Sequence, residues 1–488
     1  MKYNFTRALL NNIARTYTYA YAKNAYQYDG GLNDYDPIEF FEVLIEKSPF
    51  DGFMALDGYA FKATKNALIK YGVPYTPEQE RRAKVYADVT DMMVKQRSDY
   101  VSFYVEDLEN TGVTLYRDPY VLTTKKTLEV SRTLKSLPAN KIEYNAIYED
   151  KLDSNLINSK EQFDALKTCL KTKISCLIGG AGTGKSFVTA SIINQLVLNG
   201  KKVAILAPTH KAREALQEKL ATGKVRTIHS FVHKPDECDA IVIDESGMLS
   251  TPLFHSLMQV YSGQQLIFVG DKNQIPPVDY GRPFEIIQER FTTSELKDNK
   301  RSESADIIAL GREILGIPQN ANMRHDNIEV VSTTKEAFAK GAKVVLTYTN
   351  NNVQAVNEEQ KIKNGSPAVS LNFSVGDLII SKTNEPNRFY NGQLFKLITP
   401  DKAINQKNGK VITFRSPKDL EFNFDLAYGL TIHKSKGSEW DVVAYQPSEL
   451  DTQNLAYVAV TRAKKKLIIV GDGIKAEYPA DRKWKQLS

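Results

Sequence analysis

Eight consecutive residues constrain this chain more than any others: Gly179, Gly180, Ala181, Gly182, Thr183, Gly184, Lys185 and Ser186. They fit the phosphate-loop pattern G-x-x-x-x-G-K-[ST], and their flanks fit it too. Residues 173–178 (Lys-Ile-Ser-Cys-Leu-Ile) are a short apolar run of the buried-strand type. Residues 187–198 carry apolar side chains at helical spacing and stop at Asn199 and Gly200. Glycines let successive backbone N–H groups close around phosphate oxygens, and the helix start adds partial positive charge. In such a loop Lys185 reaches the β- and γ-phosphates and the Ser186 hydroxyl holds Mg²⁺. A chain built around this segment is expected to fold as α/β and to bind a nucleoside triphosphate.

With 488 residues the chain exceeds one core, so three or four domains are expected. It is 42% hydrophobic and 25% charged, with no apolar run long enough for a membrane span. The start carries no charged-then-apolar leader. The three cysteines, Cys169, Cys176 and Cys238, lack framework spacing. These features point to a reducing, cytoplasmic setting, the host cytoplasm if the source is viral. Charge is uneven: residues 1–150 hold 19 basic and 21 acidic side chains, and the remainder holds 45 and 37. Positive charge thus accompanies the phosphate loop, as expected of a unit that tracks a nucleic-acid backbone.

Residues 1–105 have mainly helical periodicity, and the first 150 residues contain 17 of the 25 tyrosines. These rings are expected to fill a helical core rather than stack bases. Residues 106–152 read as a small connecting α/β segment: strands near 113–116 and 120–123, then a helix at 126–137 ending at Pro138. Asn158 with Glu161 three residues on reads as a capping box. Over 153–295, buried strands end in polar residues: Ala207 leads into Pro208, Thr209 and His210, Asp244 and Glu245 end the next, and Gly270 precedes Asp271. That alternation describes an open parallel sheet with its chemistry at the strand C-termini. Asp244 is placed to hold the water shell of Mg²⁺ and Glu245 to polarise an attacking water. A second α/β unit spans 296–371 and 426–488, interrupted at 372–425 by a small β module. Short strands are expected there at 377–381, 393–398, 410–415 and 420–424. His229, His233 and Cys238 have a spacing that suggests a metal, but no fourth ligand accompanies them.

Taken together, residues 156–472 resemble the superfamily 1B DNA helicases, the RecD-like and Dda-like 5′→3′ group. Gln162 falls at the family's adenine-reading glutamine, and Lys185 and Ser186 at its first motif. Ala207-Pro-Thr-His210 and Thr227-Ile-His-Ser230 match two DNA-contacting segments. Asp244-Glu-Ser-Gly-Met248 is similar to the DExx element, and residues 270–278 to the motif whose glutamine, here Gln274, senses the γ-phosphate. Lys300-Arg-Ser302 resembles the fourth motif, which makes Arg301 a γ-phosphate contact. Residues 431–439 match the fifth, with DNA contacts from Thr431, His433 and Ser435 and a ribose contact from Glu439. Tyr457-Val-Ala-Val-Thr-Arg-Ala463 matches the last, with Arg462 as arginine finger. Asn350 is a further expected DNA contact. The resemblance implies two RecA-like parallel-sheet cores, a small SH3-like β-barrel insertion and a mainly helical N-terminal accessory region. It implies ATP and Mg²⁺ as cofactors. The expected partners are single-stranded DNA, duplex junctions and replication or recombination proteins; no membrane is involved and a monomer is expected.

One departure stands out. The family usually carries a strand-splitting β-hairpin after the Thr-Ile-His-Ser segment, yet only residues 231–238 separate Ser230 from the next strand, and Pro235 lies among them. The wedge is therefore expected in the accessory region or in the β module, near Arg388-Phe-Tyr390. Rival readings are a translocase or protein-displacing remodeller without efficient unwinding, and a nucleotide-switched DNA-binding replication factor. A small-molecule kinase also uses a phosphate loop, but the downstream arginine motifs argue against it.

Overall fold

The computed structural model of the chain describes residues 3–16, 36–54, 61–102, 111, 113–115, 121–138, 145–220, 223–277, 279–298, 300, 304–317, 326–361, 372–383, 385 and 388–474. Arg301, given a γ-phosphate role by the family resemblance, lies outside them, as does Val278.

The N-terminal region begins with helices Arg7–Thr16, Pro37–Lys47, Pro49–Met54, Phe61–Tyr71 and Pro77–Gln96. Proline at the first helical position and side-chain caps set several starts: Asp36 accepts from the N–H groups of Ile38 and Glu39, and Thr76 with Gln79 forms a reciprocal capping box. Their shared core is aromatic. Phe41 and Phe53 are edge-on at 5.1 Å, and Phe5 meets Tyr71 at 5.2 Å. Three short antiparallel strands follow, β1 (Val101–Ser102), β2 (Val113–Leu115) and β3 (Val121–Thr124), in the order β1-β3-β2. The next helix, Lys125–Ser136, buries Val130 and Leu134 in the same apolar cluster as strands of the following sheet. The accessory region is therefore not a detachable bead.

Six parallel strands make the first core: β4 (Ile174–Gly179), β5 (Val203–Ala207), β6 (Val225–Thr227), β7 (Ala240–Ile243), β8 (Gln265–Gly270) and β9 (Thr292–Leu296), ordered β6-β5-β7-β8-β4-β9. Alternate residues of one strand feed opposite faces: Ile241 and Ile243 join one cluster, Ala240 and Val242 the other. The second core is also all-parallel. Its strands are β10 (Ile328–Val331), β11 (Val345–Thr347), β17 (Gly429–Thr431), β18 (Trp440–Tyr445) and β19 (Ala463–Val470), ordered β10-β19-β18-β11-β17.

Between β11 and β17 the chain forms an antiparallel five-stranded module, β12 (Leu378–Ser381), β13 (Leu394–Thr399), β14 (Lys402–Asn405), β15 (Val411–Thr413) and β16 (Phe424–Leu426), ordered β15-β14-β13-β12-β16. Two expectations are corrected here. The strand read at 420–424 is instead a helix, Pro417–Asn423: Ser416 caps it by accepting from the N–H of Asp419, and Pro417 pre-sets its first turn. β14 was absent from the sequence reading because Lys402 and Asn405 gave it no apolar run. A third correction concerns Asn158, which ends the short helix Ser154–Asn158. Ser159 occupies the N-cap position of Lys160–Lys171, and Glu161 accepts instead from the N–H groups of Lys297 and Asp298.

Candidate nucleotide and nucleic-acid site

The phosphate loop turns from the end of β4 into helix Lys185–Leu198. Gly182 (φ 79°) and Gly184 (φ 83°) take left-handed conformations open chiefly to glycine. A Cβ on Gly184 would also lie 2.4 Å from the Gln162 side-chain nitrogen. Gln162 is 3% exposed and donates to the Thr183 carbonyl at 3.1 Å, so the residue assigned to adenine braces the loop from behind. Lys185 Nζ donates to the carbonyls of Gly179 (2.6 Å) and Gly180 (2.8 Å). Ser186 Oγ accepts from Lys219 at 3.1 Å, a contact with no sequence signal.

Carboxylates gather across β7 and β8. Burial, and then the Glu245 charge, push Asp244 up to about 6. Glu245 adopts φ 52°, a conformation that costs a non-glycine residue energy. Its N–H is held by Asp244 Oδ1 at 2.9 Å. Burial also raises Asp271, opposed first by the Lys185 charge. Half-buried Asp244 and buried Asp271 both feel the Lys185 charge, and carboxylates grouped beside a phosphate loop suit a hydrated divalent cation. Gln274 sits on the loop after Asp271, and its carbonyl accepts from Asn454 of the second core at 3.3 Å.

The second core reaches the loop through helix Gln453–Val460. Tyr457, 3% exposed, accepts the Ala181 N–H at 2.8 Å and donates to Asp271 at 2.9 Å. Arg462, 6% exposed, is held by the carbonyls of Val458 (3.0 Å) and Ser438 (3.4 Å) of its own core. Lys436 donates to the Ile275 carbonyl at 2.5 Å and is pushed down to about 8, first by burial. Glu439 is exposed at the end of this segment.

The expected DNA contacts share one local design. Thr209 and Thr349 lie just past β5 and β11, Thr227 and Thr431 end β6 and β17, and each caps a helix by accepting an N–H three residues on. Pro208 is buried ahead of the first cap; His210, His229, Asn350 and His433 then fall in the first turns, where helix N–H groups face outward. β5 pairs with β6 and β11 with β17, so the starts lie as two adjacent pairs, one on each core. Ser435 differs: it is fully buried and its hydroxyl donates to the Ile432 carbonyl at 2.7 Å, which makes it a brace of the segment.

The β module also touches the first core. Tyr390 stacks on His210 at 4.6 Å and 16°, with the Arg213 guanidinium 4.8 Å from the same ring. Lys407 pairs with Glu218 at 2.9 Å. Lys211, beside Arg462, Lys407 and Lys434, donates to the Lys434 carbonyl at 2.7 Å; burial and those charges push it down to about 7. The accessory region meets the first core at Tyr280, whose hydroxyl lies 3.1 Å from that of Tyr86 and accepts from Thr124 at 3.3 Å. Helix Arg7–Thr16 packs beside helix Ile228–His233. From His233 to Asp239 the chain forms no strand, so no hairpin stands there.

The chain is similar to several known proteins. The AAA domain family matches residues 158–333, and the UvrD-like helicase C-terminal domain family matches residues 426–470. The ATP-dependent RecD2 DNA helicase of Deinococcus radiodurans is 26% identical, over 94% of this chain and 69% of its own. The RecBCD enzyme subunit RecD of Mycolicibacterium smegmatis is 26% identical over 64% of this chain and 71% of its own. Among solved structures, Bacteroides Pif1 bound to ssDNA overlays with a TM-score of 0.45 at 16% identity, over 65% of this chain and 93% of that one. No helix among the described residues is long and apolar enough to cross a membrane. With its phosphate loop and acidic strand end on one parallel-sheet core and its arginine-bearing last motif on the other, the chain is similar to the RecD-like superfamily 1B helicases.

Proposed function

We propose that the chain is an ATP-driven motor that moves 5′→3′ on single-stranded DNA and separates strands at a duplex junction. The observation that carries this reading is the division of one site over two cores. The phosphate loop lies on the first core, Tyr457 and Arg462 lie on the second, and both present threonine-capped helix starts. Relative motion of the cores then changes the nucleotide cleft and the spacing of the strand contacts together.

In this reading Gly179, Gly180, Ala181, Gly182, Thr183 and Gly184 cradle the triphosphate, Lys185 meets its β- and γ-oxygens, and Gln162 and Glu439 meet base and ribose. Ser186 and Asp244 hold Mg²⁺, which supplies charge neutralisation on the phosphates. Glu245 orients the attacking water, Gln274 senses the γ-phosphate, and Arg301 and Arg462 offset the charge that develops on it. Pro208, Thr209, His210, Thr227, His229, Asn350, Thr431 and His433 line the strand path, with Ser435 behind it. The direction rests on the RecD-like likeness. Matched 5′-tailed and 3′-tailed duplexes test it: displacement is expected from the 5′ tail, and displacement only from the 3′ tail would reverse the assignment.

A second reading, translocation without efficient unwinding, is favoured by the missing hairpin between Ser230 and Asp239. Strong DNA-stimulated ATP turnover with negligible displacement on both duplexes would select it. Turnover indifferent to DNA would select a nucleotide switch instead. If the chain does unwind, helix Arg7–Thr16, beside Ile228–His233, is the proposed wedge neighbour. Cutting the chain near Asp150 is a poor test, because it would strip Val130, Leu134 and Leu137 from the first core's apolar cluster, at a cost of about 5 kcal/mol. A photocrosslinking side chain at exposed Ala14 should instead capture the junction of a forked substrate. Capture only from position 390 would move the wedge to the β module.

A further inference from the structure

We propose that Tyr457 is the positioning residue that makes hydrolysis wait for cleft closure, a proposal that rests on the motor reading above. Its hydroxyl is bonded on both sides, and both partners belong to the other core: the N–H of Ala181 in the phosphate loop and the carboxylate of Asp271 after β8. The second bond is charge-assisted and therefore the stronger kind.

The ring cannot follow the first core by itself. Helix Ala305–Ile314 passes so close that a Cβ on Gly311 would lie 3.2 Å from ring carbon Cδ2 and 3.2 Å from the Thr461 methyl. The ring is also packed into the second core's apolar cluster beside Leu455 and Val458. Small changes in the gap between the cores are thus converted into making or breaking two hydrogen bonds, since hydrogen bonds weaken steeply with misalignment.

What those bonds organise is the γ-phosphate side of the cleft. Asp271 shapes the loop that bears Gln274: its Oδ1 accepts the Asn273 N–H at 2.9 Å and its carbonyl accepts the Gln274 N–H at 3.3 Å. Asn454, one turn before Tyr457, grips the same loop through the Gln274 carbonyl. Arg462 follows the same helix, bonded back to its Val458 carbonyl. One rigid helix therefore sets Gln274 and Arg462 relative to the phosphate loop, and the Tyr457 hydroxyl is its contact with that loop. The residue acts by positioning these groups, so its loss should appear in turnover rather than in nucleotide binding.

The test is Tyr457→Phe in the full chain, which keeps the ring and its packing. The wild type must first show DNA-stimulated ATP hydrolysis; its failure to do so would defeat the motor reading and not this inference. Given that activity, kcat should fall roughly tenfold to a hundredfold, the loss expected for one charge-assisted and one ordinary hydrogen bond. KM for ATP should stay within about threefold, and the thermal midpoint within about 3 °C. An unchanged kcat overturns the proposal. So does a raised KM at constant kcat, which would make Tyr457 a ground-state ligand, and so does a kcat loss accompanied by a large drop in thermal midpoint, which would make it a packing residue.

Discussion

Replacing Lys185 with alanine should lower ATP turnover by at least about a hundredfold and leave single-stranded DNA binding within a few-fold. The lysine ammonium lies inside the phosphate loop, on the Gly179 and Gly180 carbonyls, with the carboxylates of half-buried Asp244 and buried Asp271 nearby. In the proposed motor it is the cation that accompanies phosphate charge as that charge moves outward in phosphoryl transfer. Alanine is a good residue at the start of helix Lys185–Leu198, and Val188, Ile192, Ile193 and Leu196 keep that helix in the core, so the fold should survive. The threonine-capped helix starts are separate structures whose own caps do not involve Lys185. Filter binding and a phosphate-release assay on one preparation separate the two functions. Substantial hydrolysis in a clean preparation would remove Lys185 from the site. A parallel loss of DNA binding would mean that nucleotide and strand sites are not separate.

The sequence disclosed the first core because its signals are local. An apolar run, a glycine loop and a helical period lie within 26 residues around Lys185, and the strand ends at Ala207, Ile243 and Gly270 carry their polar residues in immediate succession. Local signals failed where neighbours decide. Leu420 and Phe424 allow a strand on alternation alone, but Ser416 and Pro417 supply a helix start that the alternation hides. β14 is a strand because β13 and β15 pair with it on both sides, not because of its composition. The aromatic N-terminal core was legible as a helical one, but its attachment through Tyr280 was not, since Tyr86 is 194 residues away.

The site divides the same way. Motif residues were readable one segment at a time, whereas the bond between Ala181 and Tyr457 spans 276 residues and follows no pattern in either segment. The Tyr390–His210 stack likewise joins the β module to the first core, and it arises only because the module is inserted between β11 and β17 and returns over helix His210–Gln217. Gln162 shows a subtler gap. The resemblance assigns it to the base, and the fold adds a bond to the Thr183 carbonyl that depends on Gly184 lacking a side chain.

Replacing Arg462 with alanine should reduce maximal turnover by about a factor of 10³ while shifting ATP affinity only a few-fold. The guanidinium is buried, and its bonds go to carbonyls of Val458 and Ser438 and to the Thr461 hydroxyl rather than to a carboxylate. Its charge also bears on Lys211 and Lys436, depressing both. A buried cation beside other cations is electrostatically costly, and a triphosphate would relieve that cost. In the proposed motor Arg462 sits on the second core, so relief would grow as the cleft closes and be greatest when charge accumulates on the γ-phosphoryl group. In the proposed motor most nucleotide contacts lie on the first core, whereas the chemistry also needs Arg462 of the second. Removing the guanidinium also removes repulsion, so the thermal midpoint should not fall far, and the ammonium groups of Lys211 and Lys436 should titrate at higher pH than in the wild type. Steady-state hydrolysis with saturating DNA, paired with equilibrium binding of a fluorescent nucleotide, reads both quantities. A variant that keeps its maximal rate but binds ATP weakly would make Arg462 a ground-state contact, and hydrolysis would then not depend on closure through this residue.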